Sequence, residues 1–119
     1  MSLKDSITSG IGAHGKWKQR LIDAINTGQS EWKPEIVCQD NQCDFGKWLY
    51  SCSNDEKASP HFETVKQLHA EFHKEAAKVL ELALASKKEA ANEAIGPSSK
   101  YLEATTKLTK EMMAWKDQA

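Results

Sequence analysis

A pair of histidines four residues apart is the first feature of this sequence that could carry chemistry. His69 and His73 would project from one face of a helix about one turn apart, which is a common way to place two ligands on one metal ion. The surrounding apolar pattern puts both on the buried face, where an unpaired imidazole is costly and a bound metal would satisfy it. His14 falls in the apolar stripe of an earlier helix and is the third candidate. Each histidine alone would be interpreted as an ordinary core residue, but three on core faces together favour a metal site.

A tetrahedral zinc ion needs a fourth ligand, and a thiolate suits it because it adds negative charge and binds softly. Cys43 is the leading candidate, since it directly precedes an aromatic segment, residues 45–50, whose packing would fix its position. Cys38 and Cys52 are the competitors. The alternative for either of them is a buried and inert thiol.

A rival ligand set of two cysteines and two histidines is also present. Cys38, Cys43, His69 and His73 satisfy that pattern formally. The stretch between its cysteine pair and its histidine pair exceeds the roughly 12 to 15 residues of a nucleic-acid-binding finger. It also leaves His14 unexplained, so this set ranks second.

Catalytic uses of the histidine pair fail on geometry. Glu71 stands two residues after His69, on the opposite face of a helix, whereas a zinc protease places its general base next to the first histidine. A di-iron bundle would need several inward carboxylates, and the core stripes are apolar apart from the histidines. We find no glycine-rich phosphate loop and no serine or cysteine nucleophile motif. We therefore expect a protein that is not an enzyme.

Length, charge and cysteine content exclude several other classes of protein. The 119 residues, 39% of them hydrophobic, are enough for one domain with one core, residues 1–119 with the core at about 7–115. Sixteen basic and seventeen acidic residues give a net charge of -1, which argues against nucleic acid because phosphate binding needs clustered positive charge. Apolar runs are far shorter than the roughly 20 residues that span a bilayer. We expect no export signal, because no basic stretch followed by an apolar one opens the sequence. Three cysteines then indicate reduced thiols in a cytoplasmic protein.

The first half of the chain predicts one long helix followed by an irregular segment. Few glycines and prolines interrupt the sequence, which favours an all-α fold. An apolar stripe predicts a helix over residues 5–26, with Gly28 as its stop. Residues 31–44 read as an irregular connection, residues 44–51 as a short aromatic helix, and residues 51–59 as a polar loop.

The second half predicts two further helices. The apolar positions of the third element lie within about a 120° sector of a helix; they are Phe62, Val65, His69, Phe72, His73, Ala76, Val79, Leu80 and Ala83. His61 is interpreted as an exposed residue at the start of that helix. The last element is broken near Gly96 and then resumes with apolar three- and four-residue steps. Together the elements predict an antiparallel four-helix bundle with a short extra aromatic helix.

Three segments resemble the signature segments of a known family, the chemoreceptor zinc-binding domain. They are residues 13–18 (AHGKWK), residues 43–50 (CDFGKWLY) and residues 69–73 (HAEFH). Their order and approximate separations also match, and the resemblance runs from about Ile7 to Trp115. Carried over position by position, the resemblance implies the zinc ligands His14, Cys43, His69 and His73. Cys38 and Cys52 have no place in the family pattern.

The resemblance also implies a function. The family occurs in bacterial cytoplasm, attached to chemotaxis receptors and diguanylate cyclases, as a regulatory helical domain that senses zinc and, in some members, oxidants such as hypochlorous acid. Four protein ligands leave no open coordination position for a substrate, which favours a sensing or structural site over a catalytic one. Three neutral imidazoles and one thiolate leave the zinc site a net charge near +1, which favours a deprotonated, oxidant-sensitive Cys43.

The partners of the domain are expected to be a zinc ion, an attached signalling domain and a second copy of the chain. The resemblance implies a homodimer, and Met112, Met113 and Trp115 are apolar residues that could bury against a second copy. Alternatively, Met112 and Trp115 complete the monomer core and Met113 is merely exposed. Asp40 and Asp44 are the candidates for hydrogen-bond partners of the ligating imidazoles. A purely structural zinc-stapled bundle that mediates dimerisation is the alternative function.

Overall fold

The computed structural model describes residues 3–118, and within that range the regular structure is entirely helical. The helices are α1 (Leu3–Gly15), α2 (Trp17–Thr27), α3 (Pro34–Val37), α4 (Asp44–Tyr50), α5 (Asn54–Lys57), α6 (Pro60–Leu84), α7 (Lys88–Ala94) and α8 (Lys100–Gln118). The all-α prediction is confirmed. The antiparallel four-helix arrangement stays a prediction, as does the single domain over residues 1–119, of which Met1, Ser2 and Ala119 lie outside the described residues.

The long helix α6 is the element against which most of the others pack. The Ser59 hydroxyl accepts a hydrogen bond from the His61 backbone N–H at 3.2 Å, and Pro60 occupies the first turn, where its missing N–H is not needed. The buried face of α6 packs on α2, α3, α7 and α8. All of the apolar and histidine positions predicted for this face are buried. The helical period of the sequence therefore located the central helix and its core side correctly.

The predicted helix over residues 5–26 is divided in two at Lys16. The Lys16 N–H bonds to the Ala13 carbonyl, three residues back, at 3.3 Å, so the chain makes a tight turn there before α2 starts at Trp17. Gly12 and Gly15 weaken this part of the helix, because glycine is a poor helix former. The apolar stripe continues across such a turn and does not reveal it. His14 consequently lies in the last turn of α1.

The segment between α2 and α6 holds three short helices. The predicted aromatic helix is present as α4, and Gly28 ends α2 with φ 72° as predicted. Residues 31–44 are not wholly irregular, because they contain α3. The predicted loop at residues 51–59 contains α5, which begins with a capping box between Ser53 and Glu56.

The C-terminal helix α8 completes the core. Met112 and Trp115 are buried at 0% and 2% exposure, whereas Met113 is 53% exposed. The ring of Trp115 contacts that of Trp48 on α4, with centroids 5.6 Å apart, and that of Phe62 on α6, 6.1 Å away. Trp115 thus joins α8 to two other helices. Of the two interpretations of these residues, burial of Met112 and Trp115 in the monomer is the correct one.

No helix within residues 3–118 combines the length and the apolar character needed to cross a bilayer.

Candidate metal centre

Four side chains from three helical elements converge in the core. His14 lies in the last turn of α1, and Cys43 is the N-cap residue of α4. His69 and His73 lie on successive turns of α6. The histidines are 0 to 4% exposed, and Cys43 is partly buried. Among the described residues they form the one group of three or more histidine, cysteine or acidic residues arranged to hold a metal ion.

The ligand atoms lie at the separations that a small metal ion requires. His69 Nε2 is 3.0 Å from both His14 Nε2 and His73 Nε2. Cys43 Sγ is 3.3 Å from His69 Nε2, 3.4 Å from His73 Nε2 and 3.9 Å from His14 Nε2. All four ligand atoms lie within 4.8 Å of one another. In a tetrahedral zinc site, with bonds of about 2.1 Å to nitrogen and 2.3 Å to sulfur, ligand atoms are about 3.3 to 3.6 Å apart. The observed separations bracket these values.

Hydrogen bonds on the far side of two rings aim their Nε2 lone pairs into the cluster. His14 Nδ1–H donates to the Gly10 carbonyl at 2.7 Å, and His73 Nδ1–H donates to the Val37 carbonyl at 2.9 Å. With Nδ1 carrying the proton, each Nε2 is an acceptor, so the two rings cannot hydrogen-bond to each other through these atoms. A cation between them satisfies both lone pairs. The residues present therefore fit a bound metal.

The predicted acidic partners of the ligating histidines are wrong. Backbone carbonyls of Gly10 and Val37 accept from the rings, and Asp44 is exposed. Asp40 lies close enough to raise the pKa of His73 through its charge, as the weakest of three contributions. Sequence patterns miss such partners because any residue can supply a carbonyl.

Burial keeps the three imidazoles neutral. Desolvation, followed by the charge of His73, lowers the pKa of His14 from 6.5 to about 4. Desolvation, followed by the charges of His14 and His73, lowers the pKa of His69 to about 2. Desolvation also lowers the pKa of His73. Since only a neutral imidazole can bind a metal, the site presents the right protonation state at neutral pH.

Cys43 is held in place by the helix that it caps. Its Sγ accepts a hydrogen bond from the Gly46 N–H at 3.3 Å, as an N-cap side chain does. In the absence of a metal, desolvation by burial raises the pKa of the Cys43 thiol. A bound divalent cation reverses this effect, because a coordinating thiol loses its proton.

Aromatic rings pack against one side of the cluster. The His14 ring meets Phe72 and Phe45 edge-on, with centroids 5.0 and 5.5 Å apart, and the His69 ring lies 5.2 Å from Phe45. Phe72 and Phe45 are 0% and 5% exposed. These rings exclude water from one side of the site, which strengthens the binding of a charged ion to its ligands.

Gly46 is a feature of the site that the sequence interpretation missed. A Cβ built on Gly46 would collide with the Asp40 carbonyl oxygen and lie 2.8 Å from the Asp40 carbonyl carbon and 3.1 Å from His69 Cε1. The Asp40 carbonyl, Gly46 and the edge of the His69 ring therefore meet in close contact around one point. Only glycine fits between them without a shift of the neighbouring atoms.

The remaining candidate residues lie outside the cluster. The Cys38 thiol is exposed and donates to the Glu35 carbonyl at 3.4 Å, and the Cys52 thiol is buried and donates to the Trp48 carbonyl at 3.4 Å. The rival set that contains Cys38 is wrong, because His14 and not Cys38 joins the other three ligands.

His61 is not the exposed residue that the sequence predicted. Its Nδ1 and Glu111 Oε1 are 2.7 Å apart, and the two side chains are 16% and 28% exposed. The pair joins the first turn of α6 to α8 and plays no part in the cluster. A partner 50 positions along the chain is not visible in the sequence around His61.

A comparison with protein families identifies the metal that the four ligands bind. The family model of the chemoreceptor zinc-binding domain matches residues 14–80, more than half of the chain. The chain belongs to the chemoreceptor zinc-binding domain family. The match contains His14, Cys43, His69 and His73, so the cluster of this chemoreceptor zinc-binding domain is a zinc site. No curated protein and no solved structure shows significant similarity to the chain.

Proposed function

We propose that this domain is a cytoplasmic regulatory module of a bacterial signalling protein, most simply a chemotaxis receptor. In this role zinc occupancy and the state of Cys43 would alter an attached output domain. The observation that carries the proposal is the origin of the ligands: His14, Cys43 and the α6 histidines come from three separate elements. Bound zinc supplies a charge that holds these elements together. Loss of any ligand would loosen α1 and α4 from α6.

A chain of aromatic contacts supports transmission from the site to the C-terminal helix. Phe45 touches His69 and is also 5.5 Å, between ring centroids, from Trp48. Trp48 in turn contacts Trp115 on α8 at 5.6 Å. A shift of α4 would therefore disturb the packing of α8, because close-packed rings transmit small displacements.

Cys43 is the proposed redox-sensitive residue. Zinc binding converts its thiol, whose pKa is raised by burial, to a thiolate, the form that two-electron oxidants attack. Its partial exposure supports access of a small oxidant such as hypochlorous acid. Oxidised sulfur is a poorer zinc ligand, so oxidation and zinc loss would have the same consequence for α4.

We also propose that the domain is not an enzyme. Its four protein ligands fill a tetrahedral coordination sphere, and a catalytic zinc keeps one position open. Glu71, the nearest acidic residue in sequence to both α6 histidines, is exposed.

A structural role in a homodimer is the second candidate. Met113 on α8 and Ile36 on α3 are 53% and 46% exposed, so both apolar side chains are available for burial against a second copy of the chain. In that role zinc would only stabilise the folded domain and would carry no signal.

Titration of the zinc-loaded domain with chelators of graded strength separates these functions. Helix content is followed by far-UV circular dichroism and zinc by elemental analysis. A sensor releases zinc while most helix remains. Treatment with hypochlorous acid should accelerate release in the parent and should leave the release rate of Cys43→Ser, which already lacks the thiolate ligand, unchanged. Cys38→Ser is the matched control, since Cys38 is exposed and outside the site. Global unfolding on zinc loss would instead support the structural role.

A further inference from the structure

Residues 38–43, which we call the capping loop, lie between two points of contact with the metal site. Just before the loop, the Val37 carbonyl accepts from His73 Nδ1 at 2.9 Å. At its end, Cys43 turns its Sγ toward the three Nε2 atoms. Movement of this loop would therefore displace the Cys43 ligand and pull on the backbone next to the Val37 carbonyl.

The middle of the capping loop covers the outer side of the site. The Asp40 carbonyl and the edge of the His69 ring both lie against Gly46, at the position that a Cβ would occupy. Asp40 is partly buried, whereas its neighbours Asn41 and Gln42 are exposed. The Asp40 backbone therefore lies against the metal site beside a ligand ring, while the two residues that follow it face solvent.

A side-chain hydrogen bond joins the middle of the loop to α4. The Tyr50 hydroxyl donates to the Asp40 carboxylate, with distances of 3.0 Å to Oδ2 and 3.2 Å to Oδ1. The Lys66 ammonium of α6 lies 4.9 Å from the centroid of the Tyr50 ring, in range of a cation–π contact. Tyr50 thus connects the capping loop, α4 and α6 at the surface. It is neither a zinc ligand nor a buried core residue.

We propose that the Asp40–Tyr50 hydrogen bond is a latch that holds the capping loop closed and sets the rate at which zinc enters and leaves. The proposal rests on zinc binding at the four ligands and not on the signalling role. Tyr50 is a positioning residue, because it acts on the ligands only through the loop. A latch has a specific kinetic signature: opening it accelerates zinc entry and zinc release together, so both rate constants change more than the affinity does.

The test compares Tyr50→Phe with the parent chain. This variant keeps the ring and its contact with Lys66 and removes only the hydroxyl. Zinc release is followed by mixing the zinc-loaded domain with excess colorimetric chelator, and zinc uptake by mixing the metal-free domain with buffered zinc. We expect both rate constants to rise on the order of three- to tenfold, the effect of losing one partly exposed hydrogen bond to a carboxylate. The dissociation constant should change by less than either rate constant.

Asp40→Asn provides a second and independent arm. It replaces the charged acceptor of the Tyr50 hydroxyl with a neutral amide oxygen, which is a weaker acceptor, so release should accelerate by up to as much as in Tyr50→Phe. Combining the two substitutions should accelerate release by less than the product of the single effects, since both act on the same hydrogen bond. Asp23→Asn is the matched control, because Asp23 is an exposed carboxylate that accepts from Gln19 at 2.9 Å on α2.

Three results would overturn the latch. Unchanged rates in Tyr50→Phe would show that the hydrogen bond does not hold the loop. Faster release with unchanged uptake would show that it merely stabilises the bound state. Equal effects of Asp40→Asn and Asp23→Asn on zinc release would show that the loss of any surface charge, and not of this hydrogen bond, changes the rate. Failure of the parent domain itself to bind zinc would instead refute the metal site, and the two failures are therefore distinguishable.

Discussion

Replacing Gly46 with alanine should open the metal site without replacing any of its ligands. The added Cβ would lie 2.8 Å from the Asp40 carbonyl carbon and 3.1 Å from His69 Cε1. Carbon atoms in contact prefer about 3.5 Å, so α4 and the Asp40 backbone must separate by at least roughly 0.7 Å, and by more to clear the Asp40 carbonyl oxygen, with which the Cβ would collide. Metal–ligand distances tolerate only about 0.2 Å. Since Cys43 caps α4, this shift moves its sulfur out of bonding range.

The size of the effect follows from two opposing contributions. Overpacking of a rigid contact destabilises by about 1 to 3 kcal/mol, and alanine in place of glycine in a helix returns up to about 1 kcal/mol. We expect Gly46→Ala to lower the free energy of unfolding by about 1 to 2 kcal/mol and to weaken zinc binding at least about tenfold, which corresponds to 1.4 kcal/mol.

Gly12→Ala is the matched control. A Cβ at Gly12 meets nothing within 4 Å, so this variant should be about 0.5 to 1 kcal/mol more stable than the parent and bind zinc normally. Urea unfolding of the metal-free proteins gives the stabilities, and competition with a chelator gives the zinc affinities. If Gly46→Ala binds zinc as tightly as Gly12→Ala, the close contact of Asp40, Gly46 and His69 does not position the site.

Two further predictions concern the ligands and the core. Burial lowers the pKa of His14 to about 4 and that of His69 to about 2, so the unfolded chain takes up protons before the folded chain does as the pH falls below 6.5. Urea unfolding of the metal-free domain should therefore show full stability above pH 6.5 and progressive loss of stability toward pH 4. A stability that rises on acidification would contradict the burial of these histidines. Phe72→Ala should lower the free energy of unfolding by about 3 to 5 kcal/mol, since Phe72 is fully buried against His14. Thermal unfolding with zinc bound measures this loss. A loss below about 1 kcal/mol would show that the Phe72 ring does not pack tightly against the site.

The ligand positions were accessible to sequence reasoning because buried histidines conflict with the apolar pattern around them. His69 and His73 share a helix face by their spacing alone, and His14 lies on an apolar stripe. The choice of Cys43 over Cys38 and Cys52 was less determined by the residues, since all three thiols lie near the aromatic segment in sequence. The structure separates them, because only Cys43 caps α4 with its sulfur turned inward.

What the sequence could not reveal depends on backbone geometry and on contacts distant along the chain. The turn at Lys16 does not interrupt the apolar stripe, and the carbonyl partners at Gly10 and Val37 leave no trace in residue type. The contact between Asp40 and Tyr50 joins residues ten positions apart across a loop whose path the sequence does not specify.

X-ray absorption at the zinc edge tests the central claim most directly. The full chain, purified without a histidine tag and loaded with one equivalent of zinc, should show three nitrogen ligands at about 2.0 to 2.1 Å and one sulfur ligand at about 2.3 Å. The sulfur contribution should vanish in Cys43→Ser and persist in Cys38→Ser. Two sulfur ligands, no sulfur ligand, or a sulfur signal that survives Cys43→Ser would contradict a site built from His14, Cys43, His69 and His73.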